Sequence, residues 1–185
     1  MQTLGLSDST PKPENRAKTL FWPAIRHEVD VDNVTRQGFW LCCVVAVSSL
    51  VFAAFQGTLA FYFTFFESAF FFLSGVGVRM RSVFAASCAF LAFVAGGFFV
   101  SFSAGRVFLI ALLLANVRGT WLSAKWRATQ TEPPPVPMNE TILDKISDRL
   151  PIHIWPIGRF VYYFFVVMEA ALLTLAFAAR SGIAQ

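Results

Sequence analysis

The apolar residues of this chain come in long unbroken runs separated by short polar breaks, and neither strand-like alternation nor a single helical stripe describes them. Residues 38–78 carry one formally charged side chain, Glu67. As a helix this run spans about 60 Å at about 1.5 Å per residue, twice the roughly 30 Å of a bilayer core. It must therefore fold back on itself. Gln56-Gly57-Thr58 is its only turn-like polar cluster, which predicts helices near 38–55 and 59–78 joined as a hairpin, with Arg79 and Arg81 closing the second.

The same punctuation continues downstream. A third helix is predicted over 82–100, with Ser101–Arg106 as the next turn, and a fourth over 107–121 that runs on through Lys125 and Arg127. Thr-Glu-Pro-Pro-Pro-Val-Pro, within 128–137, reads as a stiff extended linker. Ile142, Leu143, Ile146 and Leu150 then recur at helical spacing behind a Thr141-x-x-Asp144 capping pattern. This predicts a short amphipathic helix, stopped by Pro151, on the membrane surface or on the protein itself. Ile152–Ile157 reads as an interfacial entry with Trp155 at headgroup level. A fifth apolar helix follows over 159–180, between Arg159 and Arg180. The chain thus divides into a polar tail with an interfacial segment holding Trp22 (1–37), a four-helix domain (38–127), a linker with its amphipathic helix (128–158), the fifth helix and a tail (181–185).

The expected fold class is all-α membrane: a bundle of five transmembrane helices with short hairpin loops, plus a short cytoplasmic amphipathic helix. Composition agrees. Apolar residues make up 56% and charged ones 14%, against about 25% charged in a soluble domain. Mean hydropathy is +0.60 and the isoelectric point is near 9.3. The net charge of +4 forms no dense basic run, which excludes nucleic acid and leaves the lipid bilayer as the partner. Cys42, Cys43 and Cys88 lack ligand spacing and read as small apolar packing residues. The first 37 residues lack an apolar stretch, so no cleavable signal peptide is expected.

Five crossings require alternate loops to differ in Lys and Arg content. With the N-terminus in the cytoplasm, thirteen of the 15 basic residues fall inside, and Arg106 and Arg180 outside. Arg79, Arg81, Arg118 and Arg159, with Trp22 and Trp155, are the expected interfacial anchors. The sequons at Asn33 and Asn139 fall on the cytoplasmic side and read as chance matches.

Lipid gives no hydrophobic drive for helix association, so small residues must let helices approach. Ser82, Ala85, Ala89, Ala92 and Gly96 form one smooth face on the third helix, and Ala111, Ala115 and Gly119 another on the fourth. These seams predict close pairing of helices three and four. The second helix is crowded with phenylalanines around its circumference, a surface for lipid, a partner subunit or a hydrophobic cofactor.

Glu67 and Glu169 are the only acidic residues inside predicted spans, and no Lys, Arg or His lies at comparable depth in the sequence. An ionised carboxylate there without a counter-charge costs at least several kcal/mol, on the order of the penalty for a charge at mid-bilayer. Both are expected to be protonated at neutral pH or paired with a cation. They are candidates either for hydrogen-bonding glue, with Thr64, Ser68 or Thr174, or for a proton or cation site. His27 and His153 sit in interfacial segments, which gives no axial ligand for a buried haem. No catalytic triad, phosphate loop or metalloprotease motif occurs, so neither an enzyme nor a cofactor is expected.

Arg36-Gln37-Gly38, Glu67-Ser68-Ala69-Phe70, the run from Val78 to Ala86 (Val-Arg-Met-Arg-Ser-Val-Phe-Ala-Ala) and Asn116-Val117-Arg118-Gly119-Thr120-Trp121 together resemble a group of bacterial four-helix membrane domains without a defined activity. The resemblance covers Arg36 to Trp121. It implies four helices with both ends cytoplasmic and a bacterial inner-membrane location, and it implies no site. The linker and fifth helix depart from it. The expected role is a non-enzymatic structural, accessory or regulatory component of a membrane complex. The alternative is a small transporter or channel protomer using Glu67 and Glu169.

Overall fold

The structure is a computed structural model that describes residues 25, 28–55, 57–98, 103–127 and 142–182. Among them the chain is helical without strands: α1 (Glu28–Ala53), α2 (Thr58–Arg79), α3 (Val83–Gly97), α4 (Ala104–Arg127) and α5 (Ile142–Ser181). All but α3 are long and apolar enough to cross a membrane. With 15 residues, α3 spans about 22 Å. The tail with Trp22, His27, the capping residue Thr141 and the proline-rich linker lie outside the described residues.

Several boundaries differ from the sequence reading, α3 among them, which ends at Gly97 where 100 was expected. The first helix begins ten residues earlier, at Glu28, because Asp32 and Arg36 form an i,i+4 ion pair on its first turns. The fourth begins at Ala104, where Ser103 Oγ accepts from the Arg106 amide. The largest correction concerns Pro151, which does not stop a helix. α5 runs through both Pro151 and Pro156 as one rod of 40 residues, so the amphipathic segment and the fifth span are continuous. Proline fixes φ at a helical value but loses the bond its missing N–H would make and crowds the carbonyl four residues back, at about 3 kcal/mol, which packing must offset. Packing holds the rod in line around the first proline: Pro151 and Ser147 are buried.

The turn between α2 and α3 takes only three residues. Ser82 donates its amide to the Gly77 carbonyl and Arg81 to that of Val78, a Schellman closure. Arg81 occupies its left-handed position with φ of 59°, which costs a non-glycine residue about 1 kcal/mol. The Ser82 hydroxyl then accepts from the Ala85 amide and caps α3.

Successive helices run in opposite directions. The start of α1, the end of α2 and the first turns of α5 meet through Asp32, Arg79 and Asp148. At the opposite end Arg106 of α4 reaches the Phe93 carbonyl of α3, and Arg180 of α5 reaches that of Phe98.

The most extensive pairing is α1 with α2, and α2 also carries α5 and α3. α3 and α4 do touch, but the small faces assigned to them are shared among neighbours. Ala85 and Ala92 pack in a cluster with Phe70, Phe71, Val45 and Tyr162, whereas Ala89 packs with Leu41, Cys42, Leu112 and Leu113. Gly119 faces Val34 of α1; Ala115 is buried and Ala111 half-buried.

Two glycines set how closely the helices approach. A Cβ on Gly38 would stand 2.1 Å from Asn116 Oδ1, and one on Gly77 would stand 2.5 Å from the Ala85 Cβ and 2.6 Å from the Trp155 ring. Asn116 Oδ1 is buried without a hydrogen-bond donor and sits where that Gly38 side chain would be, against the Gly38 Cα–H. Its Nδ2 donates to the Leu112 carbonyl at 2.8 Å.

α5 is fastened along one line only. Trp155, Phe165 and Val166 pack against the main cluster, and Tyr162, fully buried, stacks on Phe70 at 5.7 Å. Its hydroxyl accepts from Ser74 Oγ at 3.1 Å and donates to the Ala85 carbonyl at 3.4 Å, joining α2, α3 and α5. The other flank of α5 exposes Ile157, Phe160, Phe164, Val167 and Leu175.

Candidate functional site

Polar chemistry gathers at the two ends of the bundle. At the first, Arg79 is a clamp. Its Nη1 donates to Asp32 Oδ1 at 2.5 Å and to Thr35 Oγ1 at 3.0 Å, while Nη2 donates to Asp148 Oδ1 at 2.5 Å and Nε to the same oxygen at 3.1 Å. The planar guanidinium suits this, because its donors leave in fixed and different directions. Arg36 Nη2 approaches Asp32 Oδ2 at 3.1 Å and Asp148 Oδ2 at 3.8 Å, and Arg81 Nη2 lies 3.9 Å from Asp32 Oδ1. An open cavity of about 380 Å³, lined by Asp32, Arg79, Met80, Arg81, Asp148 and Ile152, adjoins the cluster.

Arg79 thus binds carboxylates of α1 and α5, and sequence reasoning assigned it to lipid headgroups. The helical spacing of Asp32 and Arg36 was visible, but the partnership with Asp148, some seventy residues away, was not. Trp155 is likewise half-buried against Gly77 and Ala85. Arg159 is exposed and lies over the Phe160 ring at 4.9 Å, and Arg118 is half-buried.

The other end holds the two intramembrane candidates. α2 and α5 are antiparallel, and Ser74 meets Tyr162 across their seam. Seven residues, two helical turns, separate Ser74 from Glu67 and Tyr162 from Glu169 in opposite senses, so both carboxyl-bearing residues return to the α2–α5 seam, about one turn apart in level. Phe66 and Phe165, 5.7 Å apart, mark the same seam beside them. The two carboxyl groups lie close enough to interact electrostatically, and Glu67 also feels Arg106. Glu67 is exposed on the flank of the bundle and Glu169 is half-buried.

Arg106, which the sequence assigns to the outer turn, reaches back into the bundle. Its Cα is near the start of α4, but the side chain folds back along α3, donating from Nη2 to the Phe93 carbonyl at 3.2 Å with the guanidinium 4.9 Å from the Phe93 ring. Gly96 leaves room for it: a Cβ there would meet Nη2 at 3.1 Å. Arg106 Nε is buried and has no hydrogen-bond partner. The hydroxyls considered for the carboxyls go elsewhere, Ser68 to the Ala46 carbonyl at 2.8 Å and Thr174 to that of Ala170 at 2.7 Å.

Among the described residues no group of three or more His, Cys, Asp or Glu side chains is placed to hold a metal ion. The cysteines are free, and Cys42 is fully buried against α3 and α4. Comparison with family models, curated proteins and solved structures finds no match for the chain.

Proposed function

We propose that this chain is a non-enzymatic integral membrane protein that crosses the bilayer five times and serves as a structural, accessory or regulatory component of a membrane complex. The observation that carries the reading is α5: one line of it packs on α2 and α3, while large apolar side chains cover the rest. Such a flank suits lipid or another membrane subunit, including a second copy of the chain. The buried hydroxyls of Ser74 and Tyr162 join helices and that of Thr120 bonds its own helix backbone, which supports a non-catalytic interior.

In this reading the Asp32–Arg79–Asp148 end faces the cytoplasm, as the excess of Lys and Arg at that end requires. The C-terminus then lies outside, and the resemblance to bacterial four-helix domains supports an inner-membrane location. Tags at Met1 and Gln185 test the crossing number, because five crossings put them on opposite sides. Purification in a mild detergent tests the role, with co-purification of a larger complex as the expected result.

A second reading, a small transporter or channel protomer, draws on the placement of Glu67 and Glu169 on one seam. Glu67→Gln would then abolish flux without unfolding the protein, whereas an accessory component keeps its assembly with that change.

A further inference from the structure

We propose that Glu67, Glu169 and Arg106 form a single proton-holding site, in which the two carboxyl groups keep one proton between them and the guanidinium balances the remaining negative charge. The placement comes from the α2–α5 seam. Ser74 to Tyr162, Phe70 to Tyr162 and Phe66 to Phe165 are successive contacts along antiparallel helices; the ring pairs set Glu169 level with the turn of α2 before Glu67, and because side chains lean toward the N-terminus of their own helix the two carboxyls lean toward each other. Arg106 arrives from α4 across the groove left by Gly96.

Charge neutrality sets the occupancy. Two ionised carboxylates and one guanidinium leave an excess negative charge, which is costly where water is scarce, and one bound proton removes it. Two protons would instead leave Arg106 uncompensated. The guanidinium also argues for a proton over a metal cation, since it already fills the position of a counter-ion.

Other charged groups stand apart from the site. α1 carries Asp32 and Arg36 at the far end of the bundle. Arg180, eleven residues beyond Glu169 on α5, is held at the Phe98 carbonyl. Among the described residues the titratable groups that α1 and α3 bring near this part of α2 and α5 are thiols, Cys43 beside Phe65 and Ser68 and Cys88 beside the main cluster.

The site rests on the membrane reading above, although it holds whether or not the protein carries flux. Dicyclohexylcarbodiimide, which partitions into lipid, reports a protonated carboxyl there. The acid proton moves to a carbodiimide nitrogen, the carboxylate oxygen adds to the central carbon, and the O-acylisourea rearranges to a stable N-acylurea with no atom lost. The experiment treats alkaline-washed membranes holding the full chain and reads adducts by mass spectrometry. The expected result at neutral pH is one adduct per chain, on Glu67 or Glu169, declining as pH rises.

Glu169→Gln leaves Glu67 facing Arg106 alone, a pair that is neutral without a proton, so labelling of Glu67 should fall at least tenfold. Arg106→Gln should let both carboxyls hold protons, giving adducts on both that persist to higher pH. Absence of an adduct in the unmodified chain would overturn the proposal, as would Glu67 labelling that ignores Glu169→Gln. Release of the chain by the alkaline wash would overturn the membrane reading as well, so the two failures are distinguishable.

Discussion

Replacing Arg79 by Met separates a clamp from a headgroup anchor. Arg79 makes charge-assisted hydrogen bonds to two carboxylates, each contact of this kind contributing about 1.5–3 kcal/mol. The arginine side chain is 9% exposed, while those of Asp32 and Asp148 are 31% and 29% exposed, so solvent screening removes about half of the gross 3–6 kcal/mol. A net loss of about 1.5–3 kcal/mol follows, which is roughly 12- to 140-fold in the folding equilibrium at about 1.4 kcal/mol per decade. Asp148→Asn should cost less, because Arg79 keeps Asp32 and Thr35. The assay is reversible unfolding in mixed micelles over a double-mutant cycle, with an expected Arg79–Asp148 coupling of about 1–2 kcal/mol. Arg79→Lys sharpens the test. An ammonium serves a headgroup as well as a guanidinium does, but it cannot bridge the two carboxylates in fixed directions. Lys should therefore recover less than half of the loss. Full recovery by Lys, or a coupling below about 0.5 kcal/mol, would refute the clamp.

Two further substitutions test how α5 is seated. Gly77→Val must displace Trp155 or Ala85, and overpacking of this kind costs about 1–3 kcal/mol; Trp155→Leu in the same chain should recover most of it, measured by the same unfolding assay. Tyr162→Phe removes the bonds to Ser74 and Ala85 at about 1 kcal/mol, and Tyr162→Ala empties the cluster at about 3–5 kcal/mol, so a protease-accessible α5 is expected only for the second.

The sequence was most readable where backbone chemistry is local. Gly57 precedes α2 and Ser82 caps α3 because turn and cap residues act within three or four positions. It was least readable where a side chain crosses the bundle. The depth of Arg106 was judged from its Cα, yet a long side chain carries its charge back along the neighbouring helix to Phe93. The stop assigned to Pro151 weighed a missing hydrogen bond and could not weigh the burial of Ser147 and Pro151 that keeps the rod together. The small-residue faces were visible, but four neighbours compete for them, and periodicity does not say that Ala85 meets Tyr162 while Ala89 meets Cys42 and Leu113.

The unbroken run of α5 makes it about 60 Å long, near twice the thickness of a hydrocarbon layer. It is gripped near Asp148, Trp155 and Tyr162, and again at its far end, where Arg180 reaches the Phe98 carbonyl and Phe177 meets the Phe98 ring. A beam pinned at both ends resists tilting as a whole, and Glu169 sits on the stretch between the two grips. A pull at Ile142, ahead of the first grip, is therefore taken up by contacts on both sides of that carboxyl.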